Sequence, residues 1–147
     1  FINLIERTTM NYKIYIVDEN KIDRFYINAI KEYEKRLSKY CKIKLHHLKN
    51  REQLLSKLSK NSHVILISNE GANVSSEELA EKINVYGVTG ISNITIILGG
   101  SLEMFKDTFD ESIMISTMDM DIGLQTTILF EQIYRAYRIN NNQPYHK

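Results

Sequence analysis

Residues 94–101 read Ile-Thr-Ile-Ile-Leu-Gly-Gly-Ser, and this stretch decides the fold. Its first five residues are aliphatic or β-branched, which is typical of a strand buried on both faces of a parallel sheet. Two glycines follow, and a residue without a Cβ lets the chain turn sharply and lets its backbone approach a ligand closely. Ligands of open parallel sheets bind beyond the carboxyl ends of the strands. The stretch therefore predicts a buried strand that ends at a candidate small-molecule site, although Gly-Gly after a strand is more often a simple turn.

Size and composition indicate one globular domain. The chain has 147 residues, of which 43% are hydrophobic and 25% charged, and it is long enough to bury a real core. No apolar run approaches eighteen residues, so no membrane span is expected. The single cysteine, Cys41, excludes an internal disulfide and fits a reducing, cytoplasmic location. The four histidines lack metal-ligand spacing, so no metal site is predicted, and the net charge of +1 argues against a strong non-specific grip on nucleic acid.

Hydrophobic periodicity predicts alternating strands and helices, which implies an α/β fold with a mostly parallel, five-stranded sheet. The predicted strands cover residues 13–17, 42–47, 63–68, 94–98 and 112–116. The predicted helices cover residues 21–37, 50–59, 75 to about 86, 102–109 and 124–139. Three strand ends are expected to converge, at residues 67–68, 99–101 and 115–120.

Short polar signals refine this outline. Asn50 is a plausible N-cap, and Ser75 with Glu78 matches a capping box. His46 and His47 could be a ligand pair, but adjacent residues of a strand point to opposite faces, which favours surface and edge packing. Asp119 and Asp121 could be metal ligands or an acid–base pair, but without other carboxylates nearby a solvated loop is the favoured interpretation.

Several blocks resemble a known family. They are Ala-Ile-Lys-Glu-Tyr-Glu-Lys-Arg-Leu at residues 29–37, Ser-Ser-Glu-Glu-Leu-Ala at 75–80, Ile-Leu-Gly-Gly-Ser at 97–101, Glu-Gln-Ile-Tyr-Arg-Ala at 131–136 and the terminal Pro-Tyr-His-Lys. On these residues the chain resembles the RlmH-type methyltransferases, small members of the SPOUT superfamily that methylate a pseudouridine at N3 in large-subunit (23S) ribosomal RNA. The resemblance covers residues 10–147, interpreted as one SPOUT domain. Residues 1–9 are interpreted as a leader or a vector-derived segment.

The resemblance implies a SPOUT-type α/β knot, with a trefoil knot in the C-terminal half, and a homodimer in which two subunits complete each site. It also implies S-adenosylmethionine (S-adenosyl-L-methionine) as cofactor. Ile67, Gly99 and the six residues Ile115, Ser116, Thr117, Met118, Asp119 and Met120 would bind the cofactor, largely through backbone groups. Tyr145 and His146 in the tail would serve in catalysis, by positioning or proton transfer.

The chain also departs from the family pattern. Glu103 stands where a further glycine is usual, Asp121 replaces a frequent proline, and the segment 48–62 is shorter than its family counterpart. Ile122 and Thr126 occupy the positions of a usual histidine and arginine. Neither residue carries the positive charge of Arg or Lys, so neither can supply a charged contact to phosphate.

Three functions therefore stay open at this stage. The first is methylation of ribosomal RNA with altered substrate contacts. The second is a diverged SPOUT methyltransferase that acts on a different RNA, a peptide or a small molecule. The third is a dimeric module that binds the cofactor or nothing and catalyses nothing. The apolar helix predicted at residues 124–139 has more hydrophobic surface than one sheet can cover, which independently favours a dimer.

Overall fold

The computed structural model describes residues 9–99 and 107–145. These residues form a five-stranded sheet in the order β2-β1-β4-β3-β5, and every strand pairing among them is parallel. The strands are β1 (Asn11–Val17), β2 (Lys42–Leu48), β3 (His63–Asn73), β4 (Asn93–Leu98) and β5 (Glu111–Met114). The helices are α1 (Arg24–Leu37), α2 (Arg51–Lys57), α3 (Ser76–Val88) and α4 (Ile122–Asn140). The predicted five-stranded α/β sheet is confirmed.

Alternation along the strands divides the core into two clusters. Ile14, Ile65 and Ile96 point into the larger cluster, which α1, α3 and α4 cover. Their neighbours Tyr15 and Leu66 point into a smaller cluster on the opposite face, which α2 covers through Leu54. A period of two puts successive side chains on opposite faces, so runs of consecutive apolar residues are what a sheet covered on both faces requires.

Helix boundaries follow the capping side chains. Ser75 and Glu78 form the predicted capping box, in which the Glu78 amide donates to Ser75 Oγ at 3.1 Å and the Ser75 amide donates to Glu78 Oε1 at 2.8 Å. Asn50 caps α2 as predicted, accepting from the amide of Gln53 at 2.9 Å. Asp23 and Asp121 cap α1 and α4, so α1 begins later and α4 earlier than the apolar periodicity alone predicts.

Two predicted elements differ from the structure. Residues 107–109 are not helical, and most of the helix predicted at 102–109 lies outside the described residues. Strand β3 runs five residues beyond its predicted end. Its pairing with β5 is interrupted between Ile67 and Ala72, and both of these residues pair with Ile113. Residues 68–71 therefore leave the ladder and return to the same partner, an irregularity that we call the β3 excursion.

Close packing of the β3 excursion against β5 requires Gly71. A Cβ at this position would lie 2.6 Å from the carbonyl carbon of Ile113 and 2.7 Å from its amide nitrogen. Real Cβ atoms do not approach backbone so closely, so only glycine fits here.

In the part of the chain that the structure describes, no helix is long and apolar enough to cross a membrane.

A polar cluster ties the amino end of β5 to β3 and α3. Glu111 accepts hydrogen bonds from Lys82 Nζ at 2.6 Å and from the Tyr86 hydroxyl at 2.5 Å, and its Oε2 lies 2.5 Å from Nε2 of His63. Burial alone would raise the pKa of Glu111, but these three hydrogen bonds lower it to about 2. Glu111 is therefore ionised in the folded protein down to strongly acid pH.

The lowered pKa predicts the acid stability of the fold. Because the folded value lies below the ordinary 4.5, the stabilisation is complete above about pH 4.5 and is lost as the pH falls towards 2. We expect Glu111→Gln to lower the free energy of unfolding at pH 5.5 by about 1–2 kcal/mol, allowing for solvent screening of a partly exposed site. The difference from the wild type should narrow by pH 2.5. Urea unfolding between these pH values measures both, with the exposed Glu81→Gln as control, and curves that stay parallel would contradict the prediction.

Candidate functional site

The carboxyl ends of three neighbouring strands form the candidate site. The order β4-β3-β5 puts the three strands side by side, and Leu66 pairs in register with Ile97. Ile67 is therefore level with the last residue of β4, Gly99 follows that residue, and Ile115 directly follows β5. The three predicted segments are adjacent along one edge of the sheet, at the position where parallel sheets bind ligands.

Gly99 makes the turn after β4. Its φ is +94°, a conformation that disfavours residues with a side chain, and its backbone is exposed. A Cβ at this position would overlap the carbonyl oxygen of Val17, at the end of β1, and would lie 3.2 Å from the carbonyl carbon. Glycine is thus required here by contact with the protein's own backbone, irrespective of any ligand. Gly100, Ser101 and Glu103 lie outside the described residues.

Residues 115–120 connect β5 to α4 without regular secondary structure. Ser116 Oγ accepts from the amide of Met118 at 3.0 Å, and the Met118 side chain is 72% exposed. Residues 116–120 make no backbone–backbone hydrogen bond to any other residue within 9–99 or 107–145. Those of their peptide groups that have no side-chain partner either are available, among the described residues, for the predicted cofactor contact.

One side-chain contact joins this segment to the β3 excursion. Asn69 Nδ2 lies 3.5 Å from Asp119 Oδ1, at the long limit of a hydrogen bond. Ile67, at the start of the excursion, is only 5% exposed, so its side chain contributes mainly to the core. Asn69 was not among the predicted site residues, because its stretch reads as an ordinary polar turn.

The start of α4 fixes the other end of the segment. Asp121 Oδ1 accepts from the amide of Gly123 at 2.8 Å, and Gln125 Nε2 donates to the carbonyl of Met120 at 3.0 Å. Ile122 packs against the larger core cluster, and Thr126 is fully buried with its hydroxyl donating to the Ile122 carbonyl at 2.8 Å. The two positions that depart from the family pattern thus serve packing and helix formation, and neither side chain is available for an RNA phosphate.

A cavity of about 290 Å³ lies beside this segment, between the end of β5, the start of α3 and the middle of α4. Of the predicted site residues only Ile115 lines it, together with Ser76, Gln132 and apolar side chains. The cavity and the exposed loop at 116–120 are therefore neighbouring features that share Ile115, and the cavity alone does not contain the predicted cofactor site.

Tyr145 packs against α4 at the border of the larger core cluster. Its hydroxyl donates to Glu131 Oε2 at 3.0 Å, its ring meets Tyr134 edge to face with 5.0 Å between ring centroids, and the Arg135 guanidinium lies 4.9 Å from its centroid. Burial raises the pKa of Tyr145, and contacts with Tyr33 and Glu131 raise it further. The phenol therefore stays protonated at neutral pH and acts as a hydrogen-bond donor. His146 lies outside the described residues.

Hydrogen bonds connect Tyr145 to the cavity through Glu131, a residue of the Glu-Gln-Ile-Tyr-Arg-Ala block to which the sequence assigned no role. Gln132 Nε2 donates to Glu131 Oε1 at 2.6 Å, and Ser76 Oγ donates to Gln132 Oε1 at 2.5 Å. Arg135 also donates to Glu131 at 2.9 Å. Glu131 thus holds the tail residue and a cavity-lining residue in one network.

Comparisons with known proteins identify similar sequences over nearly the whole chain. Residues 10–146 match the family model described as predicted SPOUT methyltransferase. A ribosomal RNA large subunit methyltransferase H 1 from Thermoanaerobacter sp. (strain X514) is 47% identical over 138 residues, which cover 94% of this chain and 100% of the relative. Proteins named ribosomal RNA large subunit methyltransferase H from Clostridioides difficile (strain 630) and Clostridium novyi (strain NT) are 36% and 37% identical, with 94% of this chain and 100% of each relative covered.

The contact between Gly99 and Val17 can be tested with a matched glycine. Gly90 has a φ of +85° but would bring a Cβ within 4 Å of no other residue, so Gly90→Ala reports backbone strain alone. We expect Gly90→Ala to cost about 1–2 kcal/mol of unfolding free energy. Gly99→Ala should cost about 1–3 kcal/mol more, because the Val17 carbonyl must move. Urea unfolding measures both, and equal losses would show that the Val17 contact carries no energy.

Proposed function

We propose that this chain, which belongs to the SPOUT methyltransferase family and is a methyltransferase, transfers a methyl group from S-adenosylmethionine to large-subunit ribosomal RNA. One observation carries the proposal: Gly99, Ile67 and the segment 115–120, which is exposed at residues 117–119, meet at the adjacent carboxyl ends of β4, β3 and β5. The acceptor is inferred from the names of the relatives, which are called ribosomal RNA large subunit methyltransferases and which this chain matches over their full length. The acceptor atom that we propose is N3 of a pseudouridine.

The residues at these strand ends fit the cofactor. The peptide groups of residues 116–120, other than the Met118 amide and the Met120 carbonyl, can hydrogen-bond the edges of adenine, and the exposed backbone at Gly99 allows close approach. Asp119 is exposed and is the only charged side chain in the segment, so it suits the ammonium group of the methionine part. When bound, S-adenosylmethionine supplies an activated methyl group on a sulfonium. The protein's task is then to align the acceptor and to hold or remove its proton.

A dimer accounts for the position of the tail. Tyr145 contacts Glu131, ten residues along α4 from the Asp121 cap, which corresponds to about 15 Å of helix. We propose that the tail of one subunit completes the site of its partner, that the C-terminal half forms the trefoil knot of the family, and that Tyr145 positions the acceptor while His146 accepts its proton. A monomer in light scattering at micromolar concentration would contradict the dimer.

Methyl transfer to ribosomes tests the proposed function. Labelled S-adenosylmethionine is incubated with this protein and with large ribosomal subunits from a strain that lacks its own methyltransferase H, and small subunits serve as the control acceptor. We expect label in the RNA of the large subunit alone. Calorimetry measures cofactor binding in parallel.

The alternatives give other results in the same experiment. Cofactor binding without transfer to ribosomes would indicate a diverged methyltransferase with another target, the alternative favoured by the buried Thr126 and by Ile122, or a dimer that binds the cofactor and catalyses nothing. Failure to bind the cofactor would indicate a non-catalytic module. Either result would refute the proposed ribosomal activity.

The role of Tyr145 is tested by a substitution that keeps its packing. Tyr145→Phe removes the hydroxyl donated to Glu131 but retains the ring against Tyr134. We expect transfer to fall at least tenfold, while the free energy of unfolding changes by about 1 kcal/mol or less. The control is Tyr40→Phe, which removes a hydroxyl bonded to Gln143 at the start of the tail.

His146→Gln should also lower transfer, and its activity should lose the pH dependence of a titrating imidazole. If Tyr145→Phe and Tyr40→Phe transfer methyl equally fast, the Tyr145 hydroxyl has no part in the reaction.

A further inference from the structure

Lysines without carboxylate partners converge on the face of the sheet that α2 covers. Lys13 of β1 and Lys44 of β2 are paired in register, so their side chains leave the sheet on the same side from neighbouring strands. Two register positions further along, His46 lies over Tyr15, with 5.2 Å between the ring centroids. Lys57, at the end of α2, approaches the same imidazole. We call Lys13, Lys44, Lys57 and His46 the lysine cluster.

All three lysines act electrostatically on the imidazole of His46. Burial lowers the pKa of His46, and the ammonium groups of Lys44, Lys57 and Lys13 lower it further. All three lysines are exposed, and none forms an ion pair with a carboxylate anywhere in the described part of the chain. The nearby Glu34 carboxylate instead accepts the amide of Leu45 at 3.2 Å, on the open edge of β2.

This arrangement does not serve the stability of the fold. Like charges directly opposite each other on neighbouring strands are destabilising. The surrounding sequence adds to the imbalance, because residues 42–60 contain six Lys or Arg and a single acidic residue, Glu52, in a chain whose net charge is only +1. A surface with this local excess of positive charge attracts anionic partners.

We propose that the lysine cluster binds the phosphate backbone of the RNA substrate. This inference rests on the proposed function and adds a docking surface to it. The ammonium groups would contact successive phosphates, while the half-buried His46 imidazole would lie between them, over the buried ring of Tyr15. A groove of about 470 Å³ that includes Lys13, Lys42 and Lys44 continues the surface along the edge of β2.

The position of the cluster suits an RNA strand that reaches the candidate site. Lys13 is in register with Thr95 of β4, and Gly99 lies four residues further on, about 13 Å along that strand. The RNA backbone can thus be held on β1 and β2 while an acceptor base lies at the strand ends. The phosphate contacts that Ile122 and Thr126 cannot make would then come from another part of the sheet.

Salt dependence of RNA binding tests this surface. The probe is a fluorescein-labelled single-stranded fragment of large-subunit ribosomal RNA, and its affinity is measured by anisotropy between 50 and 200 mM KCl. The variant is Lys13→Gln, Lys44→Gln and Lys57→Gln combined. Loss of three phosphate contacts should lower the affinity about tenfold at 50 mM KCl. The negative slope of log K against log[KCl] should become shallower by about 2.

Two matched variants separate the cluster from net charge and from folding. Lys21→Gln, Lys31→Gln and Lys35→Gln combined remove the same charge from exposed positions on or near α1, and this variant should keep the wild-type slope. Replacement of the three cluster lysines by arginine should restore both affinity and slope. Thermal unfolding verifies that each variant is folded.

The outcomes distinguish this inference from the proposed function. If the cluster variant keeps the wild-type slope, or if the α1 variant loses as much, the inference is wrong even when ribosomes are methylated. If the slope falls as expected but no ribosomal RNA is methylated, the surface binds RNA and the proposed acceptor is wrong. Binding to vesicles of phosphatidylglycerol and phosphatidylcholine that depends on the cluster, without a change in RNA binding, would overturn the inference in favour of a membrane surface.

Discussion

Strand β4 lies third of five in the sheet, and the side chains of residues 94–98 are at most 3% exposed. Its neighbours β1 and β3 both run parallel to it, so β4 forms backbone hydrogen bonds to a neighbouring strand on each side. The pairing with both neighbours fixes the register of β4, and with it the position of its carboxyl end. Leu98 pairs with Ile16, so Gly99 is level with Val17, the last residue of β1, and the close approach to Val17 follows from that geometry.

Much of this architecture could be predicted from local sequence. Continuous apolar runs such as those of β3 and β4 have few alternatives to a buried strand, and the Ser75 and Glu78 pair carries its own hydrogen-bonding geometry. The β3 excursion could not be predicted, because Ser68, Asn69 and Glu70 have the composition of a turn. The ladder resumes beyond them only through pairing with Ile113, which is distant in sequence.

Less of the candidate site than of the fold could be predicted from the sequence. The glycines after β4 and the family resemblance indicated the strand ends as the site. The adjacency of these ends follows from the sheet order. The partners of these segments were not, because hydrogen bonds such as Asn69 to Asp119 and Tyr145 to Glu131 join residues whose separation in space no periodicity reports. The family resemblance identified the departures at Ile122 and Thr126, but only the structure shows that Thr126 is buried within the packing of α4.

The β3 excursion has a consequence for how such a protein can diverge. Because Ile67 and Ala72 pair with the same residue of β5, the sheet is continuous across the excursion whatever the four residues between them are, Gly71 excepted. Substitutions or changes of length at residues 68–70 therefore do not shift the register of either strand. Evolution can vary the side chains presented next to Asp119 while the sheet, and the positions of its strand ends, stay constant.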